Sequence, residues 1–376
     1  MTMMKKIGLL GSTGSIGRNV LRVAETHPER FCLAYLTANT RVDELIAQAL
    51  KFRPQTAVIA DEGGYASLCA GLAGTGIRCE AGAAALADIA RDGEADVVLN
   101  AIVGAAGMLP TLAAVEAGRD VALSNKESLV MAGELINHIC RTSGARIFPV
   151  DSEHSAIWQC LAGEQDRDVE KIILTGSGGP FLRRDLSTFD AITPAEALRH
   201  PNWSMGAKIT VDSATMFNKG LELIEAFHLF HLDPSRMEIL IHPESIVHSM
   251  VQFRDGSVKA QLGVPDMKVP IQYALTYPEH LLSDWPRLDL AAAGTLHFEQ
   301  PDLRRFPALA LARTALEKGK TYPAVFNMAN ERAVGRFLKG EISFPQITQA
   351  VRTALEAHEA LDPLSREDLL FLCKLN

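Results

Sequence analysis

Two carboxylates stand two residues apart at the end of an apolar run, an arrangement that hard cations bind. Asp151 and Glu153 directly follow residues 145–150 (ARIFPV), a pattern that predicts a β-strand. In open α/β sheets, ligands bind beyond the carboxyl ends of the strands. Mg²⁺ usually takes one or two protein carboxylates and leaves room for substrate and water. The pattern therefore indicates a divalent-metal site, or else a helix start with Asp151 or Ser152 as its N-cap.

A second set of polar side chains falls on one side of a predicted helix. Asn218 and Glu222 are four residues apart and Lys219 and Glu222 are three apart, so all three project together. We predict that the same helix carries Ser213. A simple salt bridge between Lys219 and Glu222 would explain the spacing, but Gly220 costs about 1 kcal/mol in a helix interior. That cost favours a binding site.

Three glycines separate the first predicted strand from the first predicted helix. Residues 11–17 read GSTGSIG, a GxxGxxG pattern, and they follow a strand at residues 6–10. Glycines let the backbone approach a pyrophosphate, and a helix N-terminus offers N–H donors to it. A merely tight turn would use the same glycines. The context nevertheless favours a dinucleotide site at this turn.

The residues after the second predicted strand discriminate between dinucleotides. NAD-binding sheets place Asp or Glu there to hold the ribose 2′-hydroxyl. This chain has Asn39, Thr40 and Arg41 instead, so no carboxylate repels a 2′-phosphate. Arg41 is either a ligand of that phosphate or a solvated residue that opens the next helix. The pattern favours NADP.

Two further loops follow predicted strands. Residues 125–127 (NKE) come after a strand at residues 121–123. Asn125 and Lys126 either face the nicotinamide end of the cofactor, or Ser124 or Asn125 caps the next helix with Glu127 in its first turn. Ser177 lies in a glycine-rich loop at residues 175–180, which suits a phosphate or a polyol, or is only a turn. Both loops are therefore candidates for binding.

The segment at residues 200–206 (HPNWSMG) has neither a helical nor a strand period. Trp and Met beside Pro and Gly predict a flap over a ligand, with bounds at residues 186–208, or a loop packed permanently on the core. His242 and His248 lack a third His or Cys at a metal-binding spacing. We therefore predict that His248 contacts the substrate or the flap and that His242 is structural.

Strand and helix patterns alternate through the first 150 residues and then stop alternating. Alternation predicts a parallel, doubly wound, Rossmann-like sheet with helices on both faces. Beyond it we predict an α+β catalytic domain with a hairpin turn at Asp255 and Gly256, and then a helical bundle. The predicted domains are residues 1–150 for the nucleotide, 151–282 for metal and substrate, a linker at 283–302 and a helical domain at 303–376.

Composition limits the classes of partner. The net charge of −8 argues against nucleic acid and anionic membranes, so an anionic substrate must be held by a local cluster. The six cysteines form no CxxC pair, which is typical of reduced thiols in the cytoplasm. No signal-peptide pattern opens the sequence, and glycines and Pro110 interrupt the most apolar tract. We expect a cytoplasmic protein that does not bind membranes.

Seven short motifs occur in the order typical of one family. They are GSTGSIG at 11–17, NKESLVMAG at 125–133, DSEHS at 151–155, GGPF at 178–181, HPNW at 200–203, NKGLE at 218–222 and IVHSM at 246–250. The chain resembles the 1-deoxy-D-xylulose 5-phosphate reductoisomerase family from the first strand to the helical tail. The resemblance implies a homodimeric oxidoreductase of isoprene biosynthesis that depends on NADPH and a divalent metal. Its reaction would isomerise and reduce 1-deoxy-D-xylulose 5-phosphate to 2-C-methyl-D-erythritol 4-phosphate.

The resemblance also implies roles for individual residues. The metal (Mg²⁺, Mn²⁺ or Co²⁺) would be bound by Asp151, Glu153 and Glu222. The sugar phosphate would contact Ser152, Glu153, Ser177, His200, Ser213, Asn218, Lys219 and Glu222. NADPH would contact Thr13, Gly14, Ser15, Ile16, Asn125, Lys126, Glu127 and Gly206. The catalytic set would be Lys219, Glu153, His200, Trp203, Met205 and His248.

Three positions depart from the family pattern. The family usually has Gly, Arg or Lys, and Asn after the second strand, so we predict that Arg41 holds the 2′-phosphate from one position later. Glu244 replaces the usual Gln, and Ser124 replaces the usual Ala. The alternative function is a plain NADP-dependent ketone or semialdehyde dehydrogenase, which leaves the three carboxylates unexplained. A catalytically inactive NADP(H)-binding protein would be expected to have lost a metal carboxylate or Lys219.

Overall fold

The computed structural model describes residues 4–199 and 206–374. The chain separates into two compact units. The first comprises Met1–Ser128, Ile136–Asp151 and Met267–Trp285, and the second comprises Leu129–Leu135, Ser152–Asp266 and Pro286–Asn376. The domain boundaries expected from the sequence stay predictions. Among the described residues, no helix is both long enough and apolar enough to cross a membrane.

Strands and helices alternate along most of the first unit. Its strands are β1 (Lys5–Leu10), β2 (Phe31–Ala38), β3 (Thr56–Ile59), β4 (Arg78–Ala81), β5 (Val97–Asn100), β6 (Asp120–Leu123) and β7 (Ile147–Pro149). The helices that begin there are α1 (Ser15–Thr26), α2 (Val42–Phe52), α3 (Tyr65–Gly71), α4 (Ala83–Asp92), α5 (Met108–Glu116) and α6 (Lys126–Ser143).

The seven strands form one parallel sheet in the order β4-β3-β2-β1-β5-β6-β7. The direction of winding reverses between β1 and β5, and ligands of doubly wound sheets bind in the crevice at such a point. The predicted Rossmann-like sheet is therefore confirmed.

Burial explains which of these strands the sequence predicts. Every residue of β2 from Leu33 to Ala38 is buried, and α1 buries Val20, Leu21, Val23 and Ala24 on one face. β4 was missed because it is an edge strand whose exposed Arg78 and half-buried Glu80 make no apolar run. Main-chain pairing with β3 holds β4 in an extended conformation that its own composition does not favour.

The second unit combines a small sheet with many helices. Its strands are β8 (Val169–Gly176), β9 (Met237–Ile241), β10 (Val247–Phe253) and β11 (Val258–Leu262). The remaining helices are α7 (Ser152–Leu161), α8 (Pro194–Ala197), α9 (Ala207–Thr215), α10 (Phe217–Phe230), α11 (Lys268–Thr276, in the first unit), α12 (Leu290–Ala293), α13 (Ala308–Lys318), α14 (Tyr322–Leu338), α15 (Phe344–Ala357) and α16 (Arg366–Lys374).

The small sheet is mixed, in the order β11-β10-β8-β9. β10 runs antiparallel to β11 and β8, whereas β8 and β9 are parallel. The turn between β10 and β11 contains Asp255, whose Oδ1 accepts from the Ser257 main-chain N–H at 2.9 Å. The predicted hairpin and the α+β character of this region are confirmed.

One helix prediction was wrong. We expected Ser213, Asn218, Lys219 and Glu222 on a single helix, but Met216 adopts a left-handed conformation with φ of 62°. That conformation ends α9 and starts α10 in a new direction, because an αL residue cannot continue a right-handed helix. Ser213 therefore lies on α9 and the other three residues on α10.

The helical bundle expected near the C-terminus is confirmed, and its helices are α13 to α16. Aromatic and aliphatic side chains, including Phe326, Phe337, Ile347 and Val351, belong to the buried core to which α13, α14 and α15 contribute. The expected linker at 283–302 is not wholly irregular. It contains α12, and Glu299 forms a β-bridge with Ile241.

Candidate active site

The glycine loop of the first unit places main chain where a phosphate would bind. Gly11 has a φ of 81°, and a Cβ on Gly17 would lie 2.2 Å from the Gly11 carbonyl oxygen. The glycines thus permit a close approach that no other residue allows. Gly14 caps α1, and no described side chain caps that helix. Its first N–H groups therefore suit an anionic ligand.

Arg41 lies beside this loop. Its Nη1 donates to the Thr13 carbonyl oxygen at 3.0 Å and is 3.7 Å from Glu44 Oε2. The side chain is 58% exposed, so the guanidinium keeps donors for a ligand. The position agrees with the predicted 2′-phosphate contact, which stays a prediction.

Asn125 caps a helix and holds a neighbouring loop. Its Oδ1 accepts from the Ser128 N–H at 3.0 Å, and its Nδ2 donates to the Ile102 and Gly104 carbonyl oxygens at 2.7 and 2.9 Å. Lys126, the first residue of α6, pairs with Asp151 at 2.5 Å. The capping alternative therefore describes Asn125, and Lys126 places a positive charge on the first predicted metal carboxylate.

In the second unit, two carboxylates share one buried ammonium group. Lys219 Nζ lies 2.8 Å from Glu153 Oε1 and also contacts Glu222 Oε2. Asn218 Nδ2 donates to Glu222 Oε1 at 2.5 Å, and Ser152 Oγ donates to Glu153 Oε2 at 2.6 Å. We call Glu153, Lys219 and Glu222 the carboxylate–lysine cluster. Carboxylate oxygens of Glu153 and Glu222 lie within 4.8 Å of one another, close enough to share a cation.

Burial and charge oppose each other in this cluster. Burial acts to lower the pKa of Lys219, but the carboxylates of Glu153 and Glu222 outweigh it and hold that pKa above its ordinary value. Burial lowers the pKa of His248, although the charge of Glu153 acts against the shift. Lys219 therefore stays protonated. His248 lies close enough to the cluster for the charge of Glu153 to affect its pKa.

The glycine-rich loop after β8 brings two predicted substrate residues together. A Cβ on Gly179 would lie 2.7 Å from the Ser213 carbonyl oxygen, and one on Gly176 would lie 2.9 Å from Lys219 Cε. Ser177 Oγ accepts from the Gly179 N–H at 3.2 Å. Ser177 therefore lies in a loop that contacts Lys219 at Gly176 and Ser213 at Gly179. Neither the glycine-rich loop nor the helix pattern predicted this proximity from the sequence.

A buried histidine that the sequence argument left unassigned supports the cluster. His154 Nε2 donates to the Glu222 carbonyl oxygen at 2.9 Å, since a carbonyl only accepts, and its Nδ1 lies 3.3 Å from Glu225 Oε2. Both side chains are almost fully buried. The sequence contained a signal for this pair, because His154 directly follows Glu153 and Glu225 lies one helical turn after Glu222.

Several predicted residues are not described. His200, Trp203 and Met205 lie outside the described residues, so the expected flap and their catalytic roles stay predictions. Gly206 is described as the N-cap of α9. The structure thus brings together Ser152, Glu153, Asn218, Lys219 and Glu222, with Ser177, Ser213 and His248 around them.

Family models match most of the chain. The model described as 1-deoxy-D-xylulose 5-phosphate reductoisomerase matches residues 7–133, and that of its C-terminal domain matches residues 147–230. A third, described as DXP reductoisomerase C-terminal domain, matches residues 262–374. The matched segments follow one another along the chain.

Relatives and solved structures agree with these models. 1-Deoxy-D-xylulose 5-phosphate reductoisomerase of Chloroherpeton thalassium is 53% identical over 367 residues, 98% of this chain and 95% of that relative. The enzyme of Geobacter metallireducens is 50% identical and covers 98% and 96%. The Zymomonas mobilis structure in complex with NADPH has a TM-score of 0.93 at 43% identity, covering 99% and 97%. A DOX-P reductoisomerase in complex with NADPH, fosmidomycin and magnesium has a TM-score of 0.94 at 42% identity, covering 99% and 96%.

Proposed function

Because the chain belongs to the 1-deoxy-D-xylulose 5-phosphate reductoisomerase family, we propose that it converts 1-deoxy-D-xylulose 5-phosphate to 2-C-methyl-D-erythritol 4-phosphate. It is an NADPH-dependent oxidoreductase of this family. The observation that carries the proposal is the carboxylate–lysine cluster, in which two buried carboxylates and an ammonium group converge. A plain ketone dehydrogenase needs no such group.

Asp151, Glu153 and Glu222 would hold the divalent cation. The donor set fits a hard ion such as Mg²⁺, because carboxylate oxygens are its preferred protein ligands. Glu153 and Glu222 already approach within 4.8 Å, and Asp151 precedes Glu153 by two residues. When bound, the cation supplies Lewis-acid polarisation of substrate oxygens. Lys219 keeps the two glutamates charged and ordered beside it.

The sugar phosphate would be held by neutral donors that surround the Lys219 ammonium group. Asn218 and Ser152 hydrogen-bond the carboxylates of the cluster, while Ser177 and Ser213 stand on the glycine-rich loop and on α9. The chain carries a net charge of −8, so the buried ammonium of Lys219 is the local attraction for an anionic substrate. Lys219 would thereby bind and orient the reacting fragment.

NADPH would lie on the glycine loop and supply the hydride. The N-terminal N–H groups of α1 would hold its pyrophosphate, and Arg41 its 2′-phosphate. Asn125, Lys126 and Glu127, at the start of α6, would face the nicotinamide end. We extend the proposal to a flap at residues 186–208 that excludes water, with His200, Trp203 and Met205 in it.

We also propose a cytoplasmic homodimer. Among the described strands, β11 lies at an edge of the small sheet, and Val258 on it is 49% exposed. Exposed edge strands are ready templates for pairing with another chain. All six cysteines are free thiols, which suits a reducing compartment.

One assay tests the reaction and its runner-up. Purified protein should oxidise NADPH with 1-deoxy-D-xylulose 5-phosphate when Mg²⁺ or Mn²⁺ is present, and chelator should abolish the signal. With NADPH that carries deuterium on its reactive face, the label should appear in the new hydroxymethyl group, the former third carbon. Label on carbon two of an unbranched product would instead establish a ketone dehydrogenase. Full turnover in metal-free buffer would contradict the proposed metal site.

A further inference from the structure

Glu244 stands between two imidazole rings of the second unit. Its Oε1 lies 2.6 Å from His297 Nδ1, and its Oε2 lies 3.0 Å from His242 Nδ1 and 3.3 Å from the His297 main-chain N. A carboxylate only accepts hydrogen bonds, and all three partners can donate. Burial acts to raise the pKa of Glu244, but the hydrogen bonds from the His297 side chain and from main-chain N–H groups, together with the charge of His242, hold that pKa below its ordinary value. We call these three residues the His–Glu–His clasp.

The backbone decides which nitrogen of His242 carries the proton. Its Nε2 is 3.1 Å from the main-chain N–H groups of both Ile246 and Val247, so Nε2 must accept. The proton is therefore on Nδ1, which faces the His297 carbonyl oxygen at 2.8 Å as well as Glu244. The His242 ring is fully buried and stacks on Phe298. Its orientation is thus set from every side.

The clasp is one hydrogen bond away from the substrate loop. The His242 main-chain N–H donates to the Gly176 carbonyl oxygen at 2.7 Å. Gly176 in turn packs against Lys219 so closely that a Cβ there would lie 2.9 Å from Lys219 Cε. Ser177, a proposed substrate contact, is the next residue. A displacement of His242 would therefore reach both Ser177 and Lys219.

The turn that carries Glu244 stores backbone strain. Ser245 has a φ of 54°, a left-handed conformation that is unfavourable for a non-glycine residue. The conformation is held by the Ser245 N–H, which donates to the His242 carbonyl oxygen at 3.1 Å. Such a turn persists only where surrounding contacts maintain it, and the clasp supplies them.

We propose that Glu244 is a positioning residue for the substrate loop, acting through His242 on Gly176 and hence on Ser177 and Lys219. The proposal rests on the proposed function for its kinetic consequence, since it concerns how tightly the sugar phosphate is held. It makes a second, substrate-independent claim: the hydrogen bond from His242 to Gly176 depends on a hydrogen-bond acceptor in the side chain at position 244.

Glu244→Ala tests both claims, because it removes both acceptors of the clasp. We expect the KM for 1-deoxy-D-xylulose 5-phosphate to rise roughly five- to tenfold, while kcat and the KM for NADPH change less than about twofold. Glu244→Gln introduces the residue that the family usually has at this position and keeps one acceptor, so it should change that KM by less than about twofold. Glu299→Ala is the matched control, because it breaks the exposed pair with Arg183.

Amide hydrogen exchange separates failure of this proposal from failure of the proposed function. In the free protein, Glu244→Ala should speed exchange of the His242 N–H by roughly tenfold, whereas Glu244→Gln and Glu299→Ala should change it by less than about twofold. Unchanged exchange in Glu244→Ala would overturn the proposal even if the enzyme is active. Faster exchange without a change in substrate KM would overturn the link to substrate binding. If the wild type does not turn over this substrate, the proposed function fails and the exchange result still decides the clasp.

Discussion

The glycine loop at residues 11–17 and the carboxylate–lysine cluster build binding sites by opposite means. The loop contains no ionisable side chain and presents main-chain N–H groups, made accessible by the approach of Gly17 to Gly11. The cluster is made of ionisable side chains that are largely removed from water, with Lys219 and Glu222 at most 3% exposed. The glycine loop therefore depends on the absence of side-chain atoms, whereas the cluster depends on the balance of its charges.

This difference sets what each region tolerates. A main-chain site is insensitive to the charge of its side chains but has no room for an added methyl group. A buried charge cluster tolerates small changes of shape, yet removal of one partner leaves the others uncompensated in a medium of low dielectric. Substitutions that change only charge or only volume therefore distinguish the two regions.

The largest effect is expected from removing one charge of the cluster without changing its size. Glu222→Gln should lower kcat/KM by at least about 10³-fold, because loss of a metal carboxylate forfeits several kcal/mol of charge stabilisation. Calorimetric titration with Mg²⁺ should show weaker binding, while binding of NADPH remains. Glu317→Gln, on an exposed position of α13, is the matched control. Unaltered Mg²⁺ affinity in Glu222→Gln would remove Glu222 from the metal site.

Removing the cation of the cluster should destabilise the protein. Lys219→Met leaves Glu153 and Glu222 facing each other, so the free energy of unfolding in metal-free buffer should fall by about 3–5 kcal/mol. Added Mg²⁺ should restore more stability to this variant than to the wild type, because the ion replaces the missing positive charge. Denaturant unfolding with and without Mg²⁺ measures both, with exposed Lys339→Met as control. Equal loss with and without the ion would contradict this account.

Acid should destabilise α10, the helix that carries Lys219 and Glu222, through the buried His228 near its end. Burial, with a smaller contribution from nearby His231, lowers the pKa of His228 to about 4, whereas the unfolded chain binds that proton near 6.5. The stabilisation is fully present above pH 6.5 and is lost as the pH falls toward 4, by about 2–3 kcal/mol in total. Urea unfolding between pH 7 and pH 4 should show this slope flattened in His228→Gln and retained in His138→Gln, which alters an exposed histidine. If the free energy of unfolding depends on pH equally in both variants, His228 is not the group responsible.

A volume change should break the glycine loop. Gly17→Ala places a methyl group 2.2 Å from the Gly11 carbonyl oxygen, so the backbone must shift at a cost of about 1–3 kcal/mol. NADPH should bind more weakly as well. Gly335→Ala is the control, since that helical glycine has no atom within 4 Å of an added Cβ and should gain up to about 1 kcal/mol. Thermal unfolding measures the change in stability, and titration with NADPH measures the change in affinity. Equal stability of the two variants would contradict the predicted clash at Gly17.

The smallest effect is expected at the edge of the loop, where a side chain does contribute charge. Arg41→Ala should narrow the ratio of kcat/KM with NADPH to that with NADH by about tenfold, the value of one charged hydrogen bond at an exposed position. Stability should barely change, because the side chain is 58% exposed. Arg53→Ala, at the other end of α2, tests whether loss of any arginine changes this ratio. An unchanged ratio in Arg41→Ala would show that another group holds the 2′-phosphate.

The sequence by itself determined the elements whose signal is local. Buried strands such as β2 are continuous apolar runs, the glycines at 11–17 occupy a strand-to-helix turn, and the spacing of Asn218, Lys219 and Glu222 places them on one helical side. Each of these properties arises within a few residues, because backbone periodicity and glycine's conformational freedom need no distant partner.

Only the tertiary structure decided how the local pieces meet. The contact of Lys219 with Glu153 joins residues 66 positions apart, and the left-handed Met216 puts Ser213 on a separate helix from Lys219. β4 acquires its strand conformation from β3, and His154 finds Glu225 only because both are buried together. Such features depend on packing between segments that no local pattern relates, so their energy enters only when the chain has folded.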